Sequence, residues 1–204
     1  MAHLILASSS PRRREILSSI GLEFEIVDPD VDESLRDDLP VEERVLRLAE
    51  DKAVSAARRL GAGRRYACLG ADTLVRVRGR DDGPGQVLGK PRDRLDARDM
   101  IKALSGRTHD VHTGLALAGI DGRIETIRSD SRVSFAAMSE VEIEDYLDTG
   151  DWEGVAGAYK IQGRAALFIE KIEGSWSGIV GLPIRELYVI LSHAGISFVA
   201  SAAS

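Results

Sequence analysis

The stretch from Leu4 to Leu17 leaves the start of this chain few ways to fold. Leu4-Ile-Leu-Ala7 is an apolar run of strand length, Ser8, Ser9 and Ser10 follow it, and Pro11 opens a helical pattern with Ile16, Leu17 and Ile20 on one face. Proline suits a first helical position, since its missing N–H would be unpaired there anyway. Ser10 is the expected N-cap and Gly21 the expected stop. A strand therefore runs through a serine loop directly onto a helix N-terminus, where unpaired N–H groups and partial positive charge favour anions. Arg12, Arg13 and Arg14 sit in that first turn, against the helix dipole, and phosphate is the anion that guanidinium pairs with best. Serines are also ordinary caps and arginines ordinary surface residues, so the stretch alone leaves a phosphate site and a plain capped helix both open. It lacks the glycines and Gly-Lys-Ser/Thr ending of a Walker A loop.

Beyond this stretch the pattern mixes strands and helices. Phe24–Val27 reads as a strand, and an acidic loop runs from Asp28 to Asp38. Val41, Val45, Leu48, Ala49, Ala53 and Ala56 mark one face of a long helix ending near Gly61. Lys52 lies beside that apolar face. Its position alone favours a stem that snorkels to water over one that reaches a site. Tyr66–Val77 reads as a buried strand interrupted at Gly70-Ala-Asp-Thr73, where Asp72 either caps a turn or serves catalysis or a metal, since a buried carboxylate needs partners. A loop or hairpin at Asp81–Gly85 leads to Lys90 at a strand end, with Asp93 capping a helix that ends at Ser105-Gly106. Thr108–Ala118 and Arg123–Ala136 form a meander, and Ser139-x-x-Glu142 is a capping box. Gly154–Gly163 is suited either to close approach by a ligand or to a tight loop. Leu167–Ile172 reads as a strand, Gly174–Pro183 as a loop, and a last helix runs to Gly195. Strict βαβ alternation is missing, so a mixed sheet is expected.

Charge and composition narrow the function. A formal charge of -6 argues against general nucleic-acid or membrane-surface binding and makes the arginine cluster a local feature. Cys68 is the only cysteine and reads as core rather than nucleophile. Neither a signal-peptide layout nor an apolar run of spanning length is present, so a cytoplasmic location and no membrane partner are expected. The 204 residues suffice for one domain, 1–204, with a sizeable core.

Several motifs agree in order and spacing: Ala7-Ser-Ser-Ser-Pro-Arg-Arg13, Asp32-Glu33, Lys52-Ala53, Gly70-Ala-Asp-Thr73, Gly89-Lys-Pro-x-Asp93, Leu104-Ser-Gly-x-x-His109, Gly157-Ala-Tyr-x-Ile-Gln-Gly163 and Gly174-Ser-x-x-x-Ile-Val-Gly-Leu-Pro183. Together they resemble the Maf family of nucleoside triphosphate pyrophosphatases over nearly the whole chain. The resemblance implies an α/β fold. A long mixed sheet with flanking helices would form two lobes around a central cleft, distantly like inosine triphosphate pyrophosphatases. It implies a divalent cation, Mg²⁺ or Mn²⁺, and a homodimer. Arg12, Thr73 and Gln162 occur where the branch acting on dTTP and UTP carries those residue types, which implies a pyrimidine nucleoside triphosphate substrate.

On the family pattern Asp72 and Glu33 are the expected metal ligands. Asp72 is also the expected base, and since one carboxylate does not easily do both, Glu33 as the metal ligand is the simpler division; Lys52 and Lys90 are expected to neutralise charge in the transition state. Ser8, Ser10, Arg12 and Arg13 are expected on the phosphates, with Thr73 and Gln162 toward the base. The Arg80–Gly85 loop is long for the family, and Trp152 and Trp176 stand where other residues are common. A purine or 7-methyl-GTP pyrophosphatase and a nucleotide-binding regulator of cell division without turnover are the competing readings.

Overall fold

The computed structural model describes residues 3–32, 38–61, 66–79, 85–119 and 121–196. Glu33 and most of the Arg80–Gly85 loop lie outside them. The described strands are β1 (His3–Ala7), β2 (Glu25–Ile26), β3 (Tyr66–Val77), β4 (Gln86–Leu88), β5 (Thr108–Ala118), β6 (Ile124–Phe135) and β7 (Ile169–Glu173). They form one mixed sheet in the order β2-β1-β3-β5-β6-β7, with β4 paired to the far end of β3. Pairing is parallel for β1 with β2 and with β3, and antiparallel for β3 with β4 and β6 with β7. The helices are α1 (Pro11–Ser19), α2 (Val41–Leu60), α3 (Arg94–Leu104), α4 (Glu140–Leu147), α5 (Trp176–Val180) and α6 (Ile184–His193). The expected α/β class with a mixed sheet is what forms.

The chain divides into two compact units. The first comprises residues 1–72, 113–129 and 181–204, and the second comprises 73–112 and 130–180. In the first, alternation along β1 sends Leu4 and Leu6 to one face and Ile5 and Ala7 to the other. Leu4 and Leu6 pack with Leu69, Leu17 of α1 and Leu187, Ile190 and Leu191 of α6. Ile5 and Ala7 pack with Cys68 and the α2 alanines Ala49, Ala53 and Ala56. Helices thus cover both faces of these strands. In the second unit Val75, Leu88 and Val111 pack with Ile101 and Leu104 of α3, Tyr146 and Leu147 of α4, and Phe135 and Tyr159.

Small residues decide how closely α2 lies on the sheet. A Cβ at Gly70 would stand 2.1 Å from the Ala49 carbonyl oxygen, and one at Gly114 would stand 2.3 Å from that of Val45. Both contacts are to helix backbone, which cannot swing aside as a side chain can. Glycine at these two strand positions therefore lets the helix backbone touch the sheet.

Two expectations about elements are corrected. β3 runs without interruption from Tyr66 to Val77, so Asp72 sits within a strand and caps no turn. The expected loop at Gly174–Pro183 contains α5, a single short helix. Gly178 and Gly181 mask it in the sequence, because glycine is a poor helix former.

Candidate active site

The β1–β3 register places the start of the serine loop. Ala7 pairs with Gly70, so β1 ends and the chain turns away two residues before Asp72 on β3. Ser8 is buried, and its Oγ accepts hydrogen bonds from the Ser10 N–H at 3.2 Å and from an Arg13 guanidinium nitrogen at 3.1 Å. A hydroxyl oxygen offers two acceptor lone pairs. With both engaged, the Ser8 hydroxyl hydrogen is left to donate. Ser10 occupies the N-cap position of α1, yet its side chain makes no capping bond and the first turn has no acidic residue. The expected side-chain cap is thus missing, and the anion-favouring end of α1 keeps its character. Arg13 is 9% exposed and also donates its Nε to the Gly181 carbonyl at 2.9 Å, tying α1 to the segment before α6. Half-buried Arg12 has its pKa pushed down by burial, with the Glu15 carboxylate working against that.

Lys52 and Asp72 meet in the same unit. Lys52 Nζ donates to Asp72 Oδ1 at 2.6 Å, and each side chain is 7% exposed. The snorkelling expected from position alone does not occur. Gly70 brings α2 so near β3 that the lysine stem ends on the carboxylate before it can reach solvent. Breaking such a pair by removing one partner costs about 3–5 kcal/mol.

Thr73, Lys90 and Gln162 belong to the second unit. Thr73 is half-buried, and Lys90 and Gln162 are exposed. The turn carrying Gln162 is well anchored. Tyr159 and Ile161 are buried beside it, and Asp151 accepts from Lys160 Nζ at 3.1 Å and from the Arg164 N–H at 3.2 Å. Of the two uses open to the glycine-rich stretch, Gly157 takes close packing: its N–H donates to the Gly89 carbonyl, and a Cβ there would stand 2.9 Å from the Val75 side chain.

Among the described residues no three His, Cys, Asp or Glu side chains are grouped to hold a metal, and no helix is long and apolar enough to cross a membrane. Cys68 is buried, and that burial raises its thiol to about 11, which fits core packing and not nucleophilic chemistry.

One charged cluster escapes the sequence reading. Asp110 is buried in the second unit. Arg78 donates to it through two nitrogens at 2.9 and 3.0 Å, and Arg76 through one at 3.2 Å. Burial opposes ionisation of Asp110, but hydrogen bonds from Arg78 and Arg76 prevail and hold it below the usual carboxylate range. The signal was charge at alternate strand positions (Arg76 and Arg78, Asp110 and His112, Asp130 and Arg132), which puts each pair on one face.

Comparison with known proteins agrees with the motif reading. Residues 3–194 match the family described as Maf-like protein. A dTTP/UTP pyrophosphatase of Hahella chejuensis is 45% identical over 193 residues, covering 95% of this chain and 92% of that protein. One from Alkalilimnicola ehrlichii is 44% identical, covering 96% of this chain and 95% of that protein. Among solved structures, the Staphylococcus aureus Ham1 protein aligns with a TM-score of 0.52 at 14% identity, covering 94% of this chain and 98% of that one. A HAM1 protein from Coxiella burnetii gives 0.50 at 16%, covering 95% and 100%. At such identities the structural likeness concerns the fold.

Proposed function

Since the chain belongs to the Maf family, we propose that it hydrolyses dTTP and UTP to the nucleoside monophosphate and pyrophosphate. The observation that carries this reading is the kinship with relatives of that name across almost the entire chain. The site geometry supports it through a buried Lys52–Asp72 pair that joins α2 to the strand adjoining the Ser8 loop.

Water adds to the α-phosphorus, the bond from that phosphorus to the bridging oxygen breaks, and pyrophosphate leaves. Such a reaction needs positioning and charge neutralisation more than covalent help. The Ser8 hydroxyl hydrogen and the uncapped first turn of α1 donate to phosphate oxygens, and Ser10 keeps the loop in place. Arg12 adds fixed positive charge, while Arg13 holds Ser8 in its orientation. Asp72 orients the water and takes its proton, and Lys52 fixes the Asp72 carboxylate. Lys90 neutralises charge on the leaving group, and Thr73 and Gln162 read the base. An amide carries both a donor and an acceptor, as a pyrimidine edge does.

A Mg²⁺ or Mn²⁺ ion fits these residues. Such ions bind through one or two carboxylates plus substrate phosphates and need no cage of three protein ligands. Glu33 would hold it, which leaves the Asp72 carboxylate, bonded to Lys52, to take the proton. When bound, it supplies charge neutralisation to the triphosphate. The single domain 1–204, a homodimer and a cytoplasmic location complete the proposal, and light scattering on the purified chain tests the dimer.

Pyrophosphate release measured across dTTP, UTP, CTP, GTP, ATP and 7-methyl-GTP tests the reading. Turnover led by dTTP and UTP is expected. A lead for GTP or 7-methyl-GTP would move the chain to another branch, and binding without release would make it a regulator.

A further inference from the structure

The second unit contains a cavity of about 490 Å³ lined by Arg76, Arg78, Arg132, Asp110, His112 and Asp130. None of these belongs to the catalytic set proposed above. Asp110 gathers the arginines: Arg78 reaches it through two nitrogens, Arg76 at 3.2 Å, and Arg132 Nε at 3.4 Å. A guanidinium has five N–H groups, and Asp110 engages only two nitrogens of Arg78 and one of Arg132. A shared buried carboxylate thus fixes the forks without exhausting their donors. Glu173, also on the wall, is paired with Lys171 at 2.7 Å.

His112 makes the second and independent observation. It is 5% exposed, and its Nδ1 lies 2.7 Å from Asp130 Oδ1. A carboxylate only accepts, so Nδ1 carries the hydrogen. The other ring nitrogen, Nε2, is buried and has no hydrogen-bond partner among the described residues. An unsatisfied buried polar atom of this kind is costly and calls for an explanation.

We propose that this cavity binds a phosphate-type oxyanion. Guanidinium forks match the oxygens of a phosphate in pairs. Near neutral pH such a group populates both protonated and fully ionised forms. Its protonated form can therefore donate to Nε2, which is an acceptor when Nδ1 holds the hydrogen. A carboxylate ligand, acceptor only, cannot. A metal ion is disfavoured by the surrounding arginines. The assignment stands apart from the pyrophosphatase reading, and its test reads binding at His112, not turnover.

The test is NMR on the full chain with ¹⁵N-labelled histidine, using His112→Gln to identify the His112 signals. Inorganic phosphate, pyrophosphate and UMP are titrated separately at constant ionic strength, with acetate as the carboxylate control. A saturable shift of the His112 Nε2 signal by at least one phosphate ligand is expected. The arm that saturates first tells a free anion from a nucleotide. Arg132→Ala alters a side chain that is half-exposed, so the variant should fold, and it should weaken the binding about tenfold or more. A His112 signal that does not move, that moves equally with acetate, or that titrates identically in Arg132→Ala overturns the proposal.

Discussion

Asp72→Asn removes one charge of a pair whose side chains are each 7% exposed. If Asp72 takes the proton from water, turnover falls to background. The same change removes the negative charge that Lys52 Nζ meets at 2.6 Å in a buried setting, so stability should also drop by about 3 kcal/mol. Urea unfolding beside a pyrophosphate-release assay separates the two effects. Adding Lys52→Met should return much of the stability and none of the activity. Turnover near wild type in Asp72→Asn would reduce the pair to architecture. A second residue ties stability to pH. His109 is fully buried, its Nε2 meets the Tyr159 hydroxyl at 2.8 Å, and burial lowers its pKa from 6.5 to about 4. The unfolded chain then binds a proton that the folded chain refuses, so stability is complete above pH 6.5 and declines as pH falls from 6.5 toward 4. The full span is worth about 3 kcal/mol. His109→Gln should flatten that part of the stability–pH curve, and an unchanged slope would assign it to other groups. Family spacing singled out Lys52 and Asp72 as residue types. It could not show that they touch, because the depth of the lysine depends on how closely two backbones approach.

That approach is a property of elements. Gly70→Ala would set a Cβ 2.1 Å from a backbone oxygen of α2, so helix and strand must separate. A cost of about 2–3 kcal/mol is expected, together with a fall in kcat as Lys52 is carried away from Asp72. A variant with wild-type melting temperature and turnover would show that α2 has slack. Gly89→Ala is the control, since no described residue lies within 4 Å of its Cβ position. Most elements were legible because their signals are local. Pro11 opens α1, Asp93 caps α3 by accepting from the Asp96 N–H at 2.8 Å, and both halves of the Ser139–Glu142 capping box form. Two readings failed where a local signal competed with tertiary contacts. Ser10 sits at the cap position without capping, and α5 forms despite its glycine. The serine loop already bonds internally through Ser8, and Ile179 of α5 is buried in the core of the second unit.

At the scale of the molecule, a mixed sheet was readable from the irregular succession of strands and helices. The order β2-β1-β3-β5-β6-β7 was not, since strand neighbours are chosen by long-range burial and register. Family motifs, not periodicity, supplied most of the candidate site, which is why the Asp110 cluster, in no motif, was passed over. The second unit offers the sharpest test of the site. Lys90 and Gln162 are both exposed there, so replacing either should leave the fold intact. Lys90 is proposed on phosphate, which every nucleoside triphosphate shares, so Lys90→Ala should lower kcat/KM for dTTP, UTP, GTP and ATP by a similar factor, roughly 10²-fold. Gln162 is proposed on the base. Its loss removes a pairing that only the matching base can make, worth about 1–3 kcal/mol, so dTTP and UTP should fall by roughly one to two decades. GTP and ATP, which never made that pairing, should fall less. The selectivity of wild type should therefore collapse in Gln162→Ala and persist in Lys90→Ala. Equal losses across all four nucleotides in Gln162→Ala would place its amide away from the base, and a selective loss in Lys90→Ala would move the lysine off the phosphates.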